Sequence, residues 1–228
     1  MQLLRQRRAV GRNDINMERT IIEKGNARRF AVSDIHGCLK TFESLLTEKI
    51  KLEKEDQLFL LGDYVHRGPD SEGVLSKIIE LIDNGYQIYA IRGNHEDKYI
   101  KEQGAKIDPQ YRKLIESMPY YYETEDFIFV HAGLNFSLEN PFEDTKTMKW
   151  GMGFKMEPDV EFTKGKSIIH GHVITSLSEI FDAIMDQTAY IPIDNGCYRA
   201  LEYAETAYGT LLALNLDTMR LIVQENVE

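Results

Sequence analysis

The six histidines of this chain fall in five short polar clusters: Asp34-Ile35-His36-Gly37, Gly62-Asp63-Tyr64-Val65-His66-Arg67-Gly68, Gly93-Asn94-His95-Glu96, His131-Ala132-Gly133 and His170-Gly171-His172. Most of them directly follow an apolar run of strand-like length. Imidazole and carboxylate delivered from the ends of several strands form the donor set of a metal site, because separate strands bring to one point ligands that no single helix gathers. The chemistry this suggests is hydrolysis assisted by two metal ions.

Each cluster offers a different group. Asp34 and His36 follow Phe30-Ala31-Val32 one residue apart, so an extended turn points both toward one ion while Gly37 lets the chain swing away. Asp63 ends the next strand, where a carboxylate can bridge two cations. Arg67, ahead of Gly68-Pro69, presents a guanidinium fork that suits a tetrahedral phosphate. Asn94 offers a neutral oxygen and leaves His95 as an acid or base, with Glu96 as a tether for Arg92. His131 and His172 add neutral imidazoles. Singly, each has an ordinary alternative, a turn-forming Asp or a satisfied core histidine. Their joint occurrence is what points to one site.

These clusters need a scaffold of strands and crossover helices, and the N-terminal half supplies the pattern. Strands are expected at 28–33, 57–61 and 86–92, with helices over 39–48 and 71–84, the latter stopped by Gly85. Helical spacing continues over 96–103 and 111–117, and two strands follow at 120–123 and 127–130. Apolar runs at 167–169, 189–193, 210–215 and 220–224 read as a second, mixed sheet, and 135–165 as loops over the site.

Composition narrows the classes. A chain of 228 residues with 43% apolar content fits one large domain, expected over 25–228 after a disordered extension at 1–24, within which Met17 is a candidate start. The net charge of −10 argues against a general nucleic-acid or membrane-surface binder. Two cysteines, Cys38 and Cys197, make no disulfide framework, and a cytoplasmic location is the simplest expectation. No CxxC pair suggests structural zinc, and the Lys164-Gly165-Lys166-Ser167 run lacks the first glycine of a phosphate-binding loop.

Taken in order, Asp34-Ile35-His36-Gly37, Gly62-Asp63-Tyr64-Val65, Arg67-Gly68, Arg92-Gly93-Asn94-His95-Glu96, His131-Ala132-Gly133, Gly171-His172 and Asp194-Asn195-Gly196-Cys197 resemble the calcineurin-like metallophosphoesterases, within them the phosphoprotein-phosphatase branch with its bacterial serine/threonine phosphatases. The resemblance implies an α/β fold, a sandwich of two mixed β-sheets flanked by α-helices. It implies two divalent ions, manganese first, with iron or zinc as alternatives. Asp34, His36 and Asp63 would hold one, and Asp63, Asn94, His131 and His172 the other. A hydroxide held between them would attack phosphorus in line, with His95 as general acid and Arg67 gripping the phosphoryl group. Arg92, Glu96 and His170 would support this set from behind.

Two departures bear on the substrate. His66 stands where the branch has an acidic residue that orients and charges the general-acid histidine, and Met152 stands where related phosphatases carry a second phosphate-binding arginine. The expectation is a phosphatase acting on phosphomonoesters, phosphoproteins first. The alternative is a symmetrical dinucleoside-tetraphosphate hydrolase, whose Arg-Gly-Pro run is echoed by Arg67-Gly68-Pro69. A third is a degenerate member that binds a phosphorylated ligand with little turnover.

Overall fold

Apolar residues occur on both sides of most strands, which requires a sheet covered on both faces. The computed structural model describes residues 21–151, 157–202 and 207–228. A five-stranded sheet has the order β3 (Gln87–Ala90), β2 (Gln57–Leu60), β1 (Arg29–Val32), β8 (Thr210–Asn215), β9 (Arg220–Glu225), and a four-stranded sheet the order β4 (Tyr121–Glu123), β5 (Phe127–Val130), β6 (Ser167–His170), β7 (Tyr190–Pro192). In the first, β1, β2 and β3 are parallel and β8 and β9 antiparallel; in the second, β5, β6 and β7 are parallel and β4 antiparallel.

The period-two alternation of the strands sorts the core into layers. Phe30, Val32, Leu58, Leu60, Leu211 and Ala213 face outward onto helices α1 (Leu39–Ser44), α2 (Ser71–Asp83) and α4 (Pro109–Ser117), through Phe42, Val74, Leu75, Ile78, Tyr111 and Ile115. Their alternates, Ala31, Phe59, Leu61, Leu212 and Leu214, meet Phe127, Phe129, Ile169 and Ile191 between the sheets, and Ile180 and Ile184 of α7 (Leu177–Met185) join them. Phe59 and Phe129 stack there at 4.2 Å between ring centroids. The far face of the second sheet carries Ile128, Val130 and Ile168 under Phe142 and Met148.

The strand positions agree with the sequence reading to within a residue or two, but their allocation differs: β8 and β9 extend the first sheet beside β1 instead of joining the second. The physical reason is the two-sided burial of β8, whose Leu211 to Leu214 need cover from the helices on one side and the second sheet on the other. The stretch 135–165 is also more regular than expected, carrying α5 (Thr145–Trp150) and α6 (Val160–Thr163); Met152 lies outside the described residues. Among the described residues the remaining α-helices are α3 (Asn94–Gln103) and α8 (Arg199–Glu202). Residues 21–24, expected in the extension, lie against the fold: Ile22 donates its N–H to the Glu123 carbonyl at 2.7 Å and is buried between the sheets, and Lys24 pairs with Asp217 at 2.9 Å. Residues 1–20 lie outside the described set.

Cys38 and Cys197 are free thiols, both buried. Among the described residues no helix is long and apolar enough to cross a membrane.

Candidate metal centre

Parallel strands in one sheet end on one edge, so their C-terminal turns share a crevice. Asp34 and His36 follow β1, Asp63 follows β2, Asn94 and His95 follow β3, His131 follows β5 and His172 follows β6. The first two turns are laced together: the His36 and Gly37 amides donate to the carbonyls of Asp63 and Tyr64, and the Gly68 amide donates to the His36 carbonyl, each at 2.7–2.8 Å. That crossing leaves no room for a side chain at Gly68, where an added Cβ would stand 2.3 Å from the His36 oxygen. The cost of the arrangement is conformational. His36, Asp63, His66, Arg67 and His172 all have positive φ, between 49° and 72°. Non-glycine residues adopt that region at about 1–3 kcal/mol each, and such strain gathers at functional turns.

Asp63 is the hub. Its Oδ2 lies 3.6 Å from His36 Nε2 and 3.4 Å from His131 Nε2, while its Oδ1 accepts the His95 amide at 2.9 Å. Two donor groups share it, one with His36 and His95 and one with His131 and His172. His131 Nε2 also faces Asn94 Oδ1 at 2.9 Å and His172 Nδ1 at 3.1 Å. Asp34 stands outside both groups: its carboxylate accepts the His172 amide at 3.1–3.2 Å and leaves 2.1 Å to an imagined Cβ on Gly171.

The backs of the rings decide what the fronts can do. His36 Nδ1 faces the Val65 carbonyl at 3.0 Å and His131 Nδ1 the Leu61 carbonyl at 2.8 Å. A carbonyl only accepts, so each Nδ1 bears the proton and Nε2 faces inward, the orientation that outer partners impose on metal-bound histidine. With His131 neutral, its Nε2 lone pair would oppose the Asn94 oxygen, while His172 can turn an Nδ1–H toward it. A cation relieves that opposition, and so does a proton.

The charges say the same. Burial acts first on every group here. It pushes Asp34 well above the usual carboxylate range, helped by Asp194 and Asp63, and lifts Asp194 to about 6 and Glu96 to about 7. Asp63 goes the other way, held low against burial by His131, His36 and His95. His131 is raised to about 10, its burial outweighed by Asp63 and Asp34. Burial lowers His36, and lowers His95 and His172 to about 4. A buried carboxylate set with inward-facing imidazoles is short of positive charge, and divalent ions supply it. The residues therefore fit a dinuclear metal site.

The surrounding residues sort themselves clearly. Glu96 accepts the Asp63 and Gly93 amides at 2.9 Å on one oxygen and the Tyr64 amide at 2.8 Å on the other. It does not tether Arg92, which pairs with Asp97 at 2.5 Å; Asp97 also pairs with Lys149 and so ties α3 to α5. Arg67 is exposed, its guanidinium 5.2 Å over the Tyr198 ring, which itself packs edge-on against His36 at 5.0 Å. His66 meets His95 through their Nδ1 atoms at 3.0 Å. His170 belongs to neither donor group and packs against the Tyr190 ring at 5.9 Å. Trp150, 52% exposed, stands 6.4 Å from the His172 ring. Sequence reasoning missed Glu102, whose Oε2 lies 3.3 Å from His66 Nε2. Its signal was the spacing His95, Tyr99, Glu102, one face of α3.

A two-sheet sandwich with paired donor groups at the strand ends defines a metal-dependent phosphoesterase architecture. Residues 27–184 match the calcineurin-like phosphoesterase family, and the chain belongs to it. Among curated relatives, a symmetrical bis(5'-nucleosyl)-tetraphosphatase of Nitrosomonas europaea is 28% identical over 128 residues, 48% of this chain and 47% of its own. A zinc-dependent endopolyphosphatase of Saccharomyces cerevisiae is 36% identical over 85 residues, 37% of this chain and 24% of its own. The chain thus spans about half the length, or less, of these relatives. Among solved structures, a candidate diadenosine tetraphosphatase superposes with a TM-score of 0.66 at 20% identity, covering 91% of this chain and 98% of its own. A protein serine/threonine phosphatase from Saccharomyces cerevisiae gives 0.64 at 16% identity, with 91% and 84% covered. The shared fold is that of the sandwich described above.

Proposed function

We propose that this chain is a dinuclear metal-dependent hydrolase of phosphoanhydride-linked nucleotides, with symmetrical dinucleoside tetraphosphates as its foremost substrates. The observation that carries the reading is the convergence on Asp63 of imidazole, carboxylate and amide donors from the ends of both sheets. Asp34, His36 and Asp63 would hold one ion, and Asp63, Asn94, His131 and His172 the other. Manganese, iron or zinc bound there would acidify a water and neutralise phosphoryl oxygens.

The chain's own groups do the rest. Arg67, exposed at the rim with no carboxylate partner among the described residues, grips the phosphoryl group with two charge-assisted hydrogen bonds. As the imidazolium, with a proton on each nitrogen, His95 gives its Nε2 proton to the leaving oxygen as the oxygen of water bonds to phosphorus and the old P–O bond breaks, and it keeps its Nδ1 proton. Glu96 keeps the Asp63 turn in its left-handed form. Trp150 offers an exposed ring beside His172 on which a base can stack. The curated relatives named as symmetrical tetraphosphatases support this substrate class. A cytoplasmic location fits a nucleotide substrate.

A second reading, a phosphomonoesterase acting on phosphoproteins, is supported by the likeness to a serine/threonine phosphatase, while His66 beside His95 counts against it, because burial and then the neighbouring cationic groups lower His95 and weaken an acid that serine and threonine esters need. One panel separates them. Manganese-loaded protein is assayed on diadenosine tetraphosphate, p-nitrophenyl phosphate, and phosphoserine and phosphotyrosine peptides. Turnover of the dinucleotide to two nucleoside diphosphates, at a kcat/KM at least tenfold above the others, is the expected result. Faster turnover of the peptides would replace the first reading with the second. Metal binding with no turnover of any substrate would remove both and leave a phospho-ligand binder.

A further inference from the structure

The resemblance to the phosphatase branch implies a carboxylate beside the general-acid histidine, and this chain has His66 at that place, whose imidazole alone supplies no negative charge. The structure shows what stands behind it. His66 Nδ1 is 3.0 Å from His95 Nδ1, and His66 Nε2 is 3.3 Å from Glu102 Oε2. That Nε2 atom is buried and makes no hydrogen bond in the structure; the Glu102 carboxylate stands at ion-pair distance, and as an exposed side chain it completes the hydrogen bond by a small rotation. We propose that Glu102 and His66 form a positioning relay for His95, in which a carboxylate two steps removed does the work of the missing adjacent one.

Donor and acceptor logic fixes the direction. Glu102 only accepts, so His66 carries its proton on Nε2 and turns an Nδ1 lone pair toward His95. His95 therefore donates Nδ1–H to His66, and the nitrogen it has left for the reacting atoms is Nε2. This is the order of a triad, carboxylate to imidazole to imidazole, which holds the second ring in one tautomer and one orientation. The mounting is firm on both sides. The His66 amide donates to Ser71 Oγ at 2.8 Å, its ring packs edge-on against Tyr99 at 5.7 Å, and His95 is fixed by its own amide on Asp63. His95, Tyr99 and Glu102 share one face of α3, so the helix delivers both ends of the relay at once. Lys98 also faces Glu102, at 3.7 Å, and competes for it.

The inference rests on the assignment of His95 as general acid, and its test keeps the two apart. The direct measurement is the nitrogen NMR of histidine-labelled, manganese-free protein loaded with magnesium or zinc. His66 is expected in the Nε2–H form in the wild type and as a mixture in Glu102→Ala, a surface change that leaves the fold intact. The kinetic measurement compares leaving groups. In Glu102→Ala, kcat for the substrate with the poorest leaving group falls about tenfold while that for p-nitrophenyl phosphate changes less than twofold and neither KM moves, a fraction of the 10²–10⁴ that general acids contribute. In a His66→Asp background, which restores the adjacent carboxylate, Glu102→Ala has no effect. A His66 protonated on Nδ1, or a Glu102→Ala loss equal for all leaving groups or persisting in His66→Asp, overturns the relay. Absence of turnover with the expected tautomer would strike the functional assignment and leave the relay standing.

Discussion

Glu96→Gln tests whether the Asp63 turn is held by a carboxylate or merely occupied by a side chain of that shape. Glu96 is fully buried and its two oxygens accept three amides, those of Asp63, Gly93 and Tyr64. A glutamine can keep its oxygen on the Asp63 and Gly93 amides, but its NH2 then faces the Tyr64 N–H, donor against donor. One charge-assisted hydrogen bond is lost, about 1.5–3 kcal/mol, and the two that remain weaken to neutral strength. Relief of the buried charge offsets part of this, because burial and Asp63 already push Glu96 up to about 7. The balance is about 2 kcal/mol of lost stability at pH 8, where the carboxylate is ionised. In a chain of this size that is about 4–8 °C in Tm. Since the φ of +53° at Asp63 persists only while its neighbours enforce it, metal affinity should fall about 10–100-fold as well. Urea unfolding of the chelated protein reads the first number, and calorimetric titration with manganese reads the second. A variant within 0.5 kcal/mol of the wild type and with unchanged metal affinity would refute the reasoning.

Gly171→Ala places a Cβ 2.1 Å from Asp34 Oδ1, so the carboxylate must move. We expect at least a tenfold loss of metal affinity by titration with a circular dichroism spectrum that matches the wild type. Asp217→Asn leaves the buried Arg29 with only the half-exposed Asp126 and costs about 2–3 kcal/mol at neutral pH. Burial raises Asp217, but Lys24 and Arg29 outweigh it and hold the carboxyl below its ordinary 3.8. Its stabilisation is therefore present above that value and lost as pH falls through the depressed one, so wild-type and variant unfolding curves should converge in acid. Chelation should abolish hydrolysis and lower Tm, with both restored by manganese; activity surviving exhaustive chelation would remove the metal-centred mechanism.

The strands and their terminal motifs are legible because a buried strand writes a short apolar run, and because a turn that binds something spells itself in Gly, Asp, Asn and His. Pairing between distant strands is not written locally. The run 210–215 looks the same whether it borders β1 or β7, and only the demand for cover on both faces of Leu211 to Leu214 decides. Helix α7 passed unread although Ser176 and Glu179 form a capping box at its start, a signal available from spacing alone. Glu96 and Asp97 show a finer limit. Adjacent on α3, they point about 100° apart, and whichever turns inward at the helix start takes the amides while the other takes Arg92. Of the expected metal donors, His36, Asn94, His131 and His172 lie around Asp63 while Asp34 stands aside on the His172 amide, and His170, next but one to His172, sits on the strand face shared with Ile168 and packs on Tyr190. Nothing in its neighbours' identities foretold that.

Because the donors come from β1, β2, β3, β5 and β6, the crevice spans both layers of the sandwich. An ion bound there would act as a keystone between two halves that otherwise meet through apolar side chains and a few polar contacts, such as the His172 amide on Asp34 and the His131 ring on the Leu61 carbonyl. Amide exchange should then slow on loading at the turns after β1 and β6 together, although about 140 residues of chain separate them.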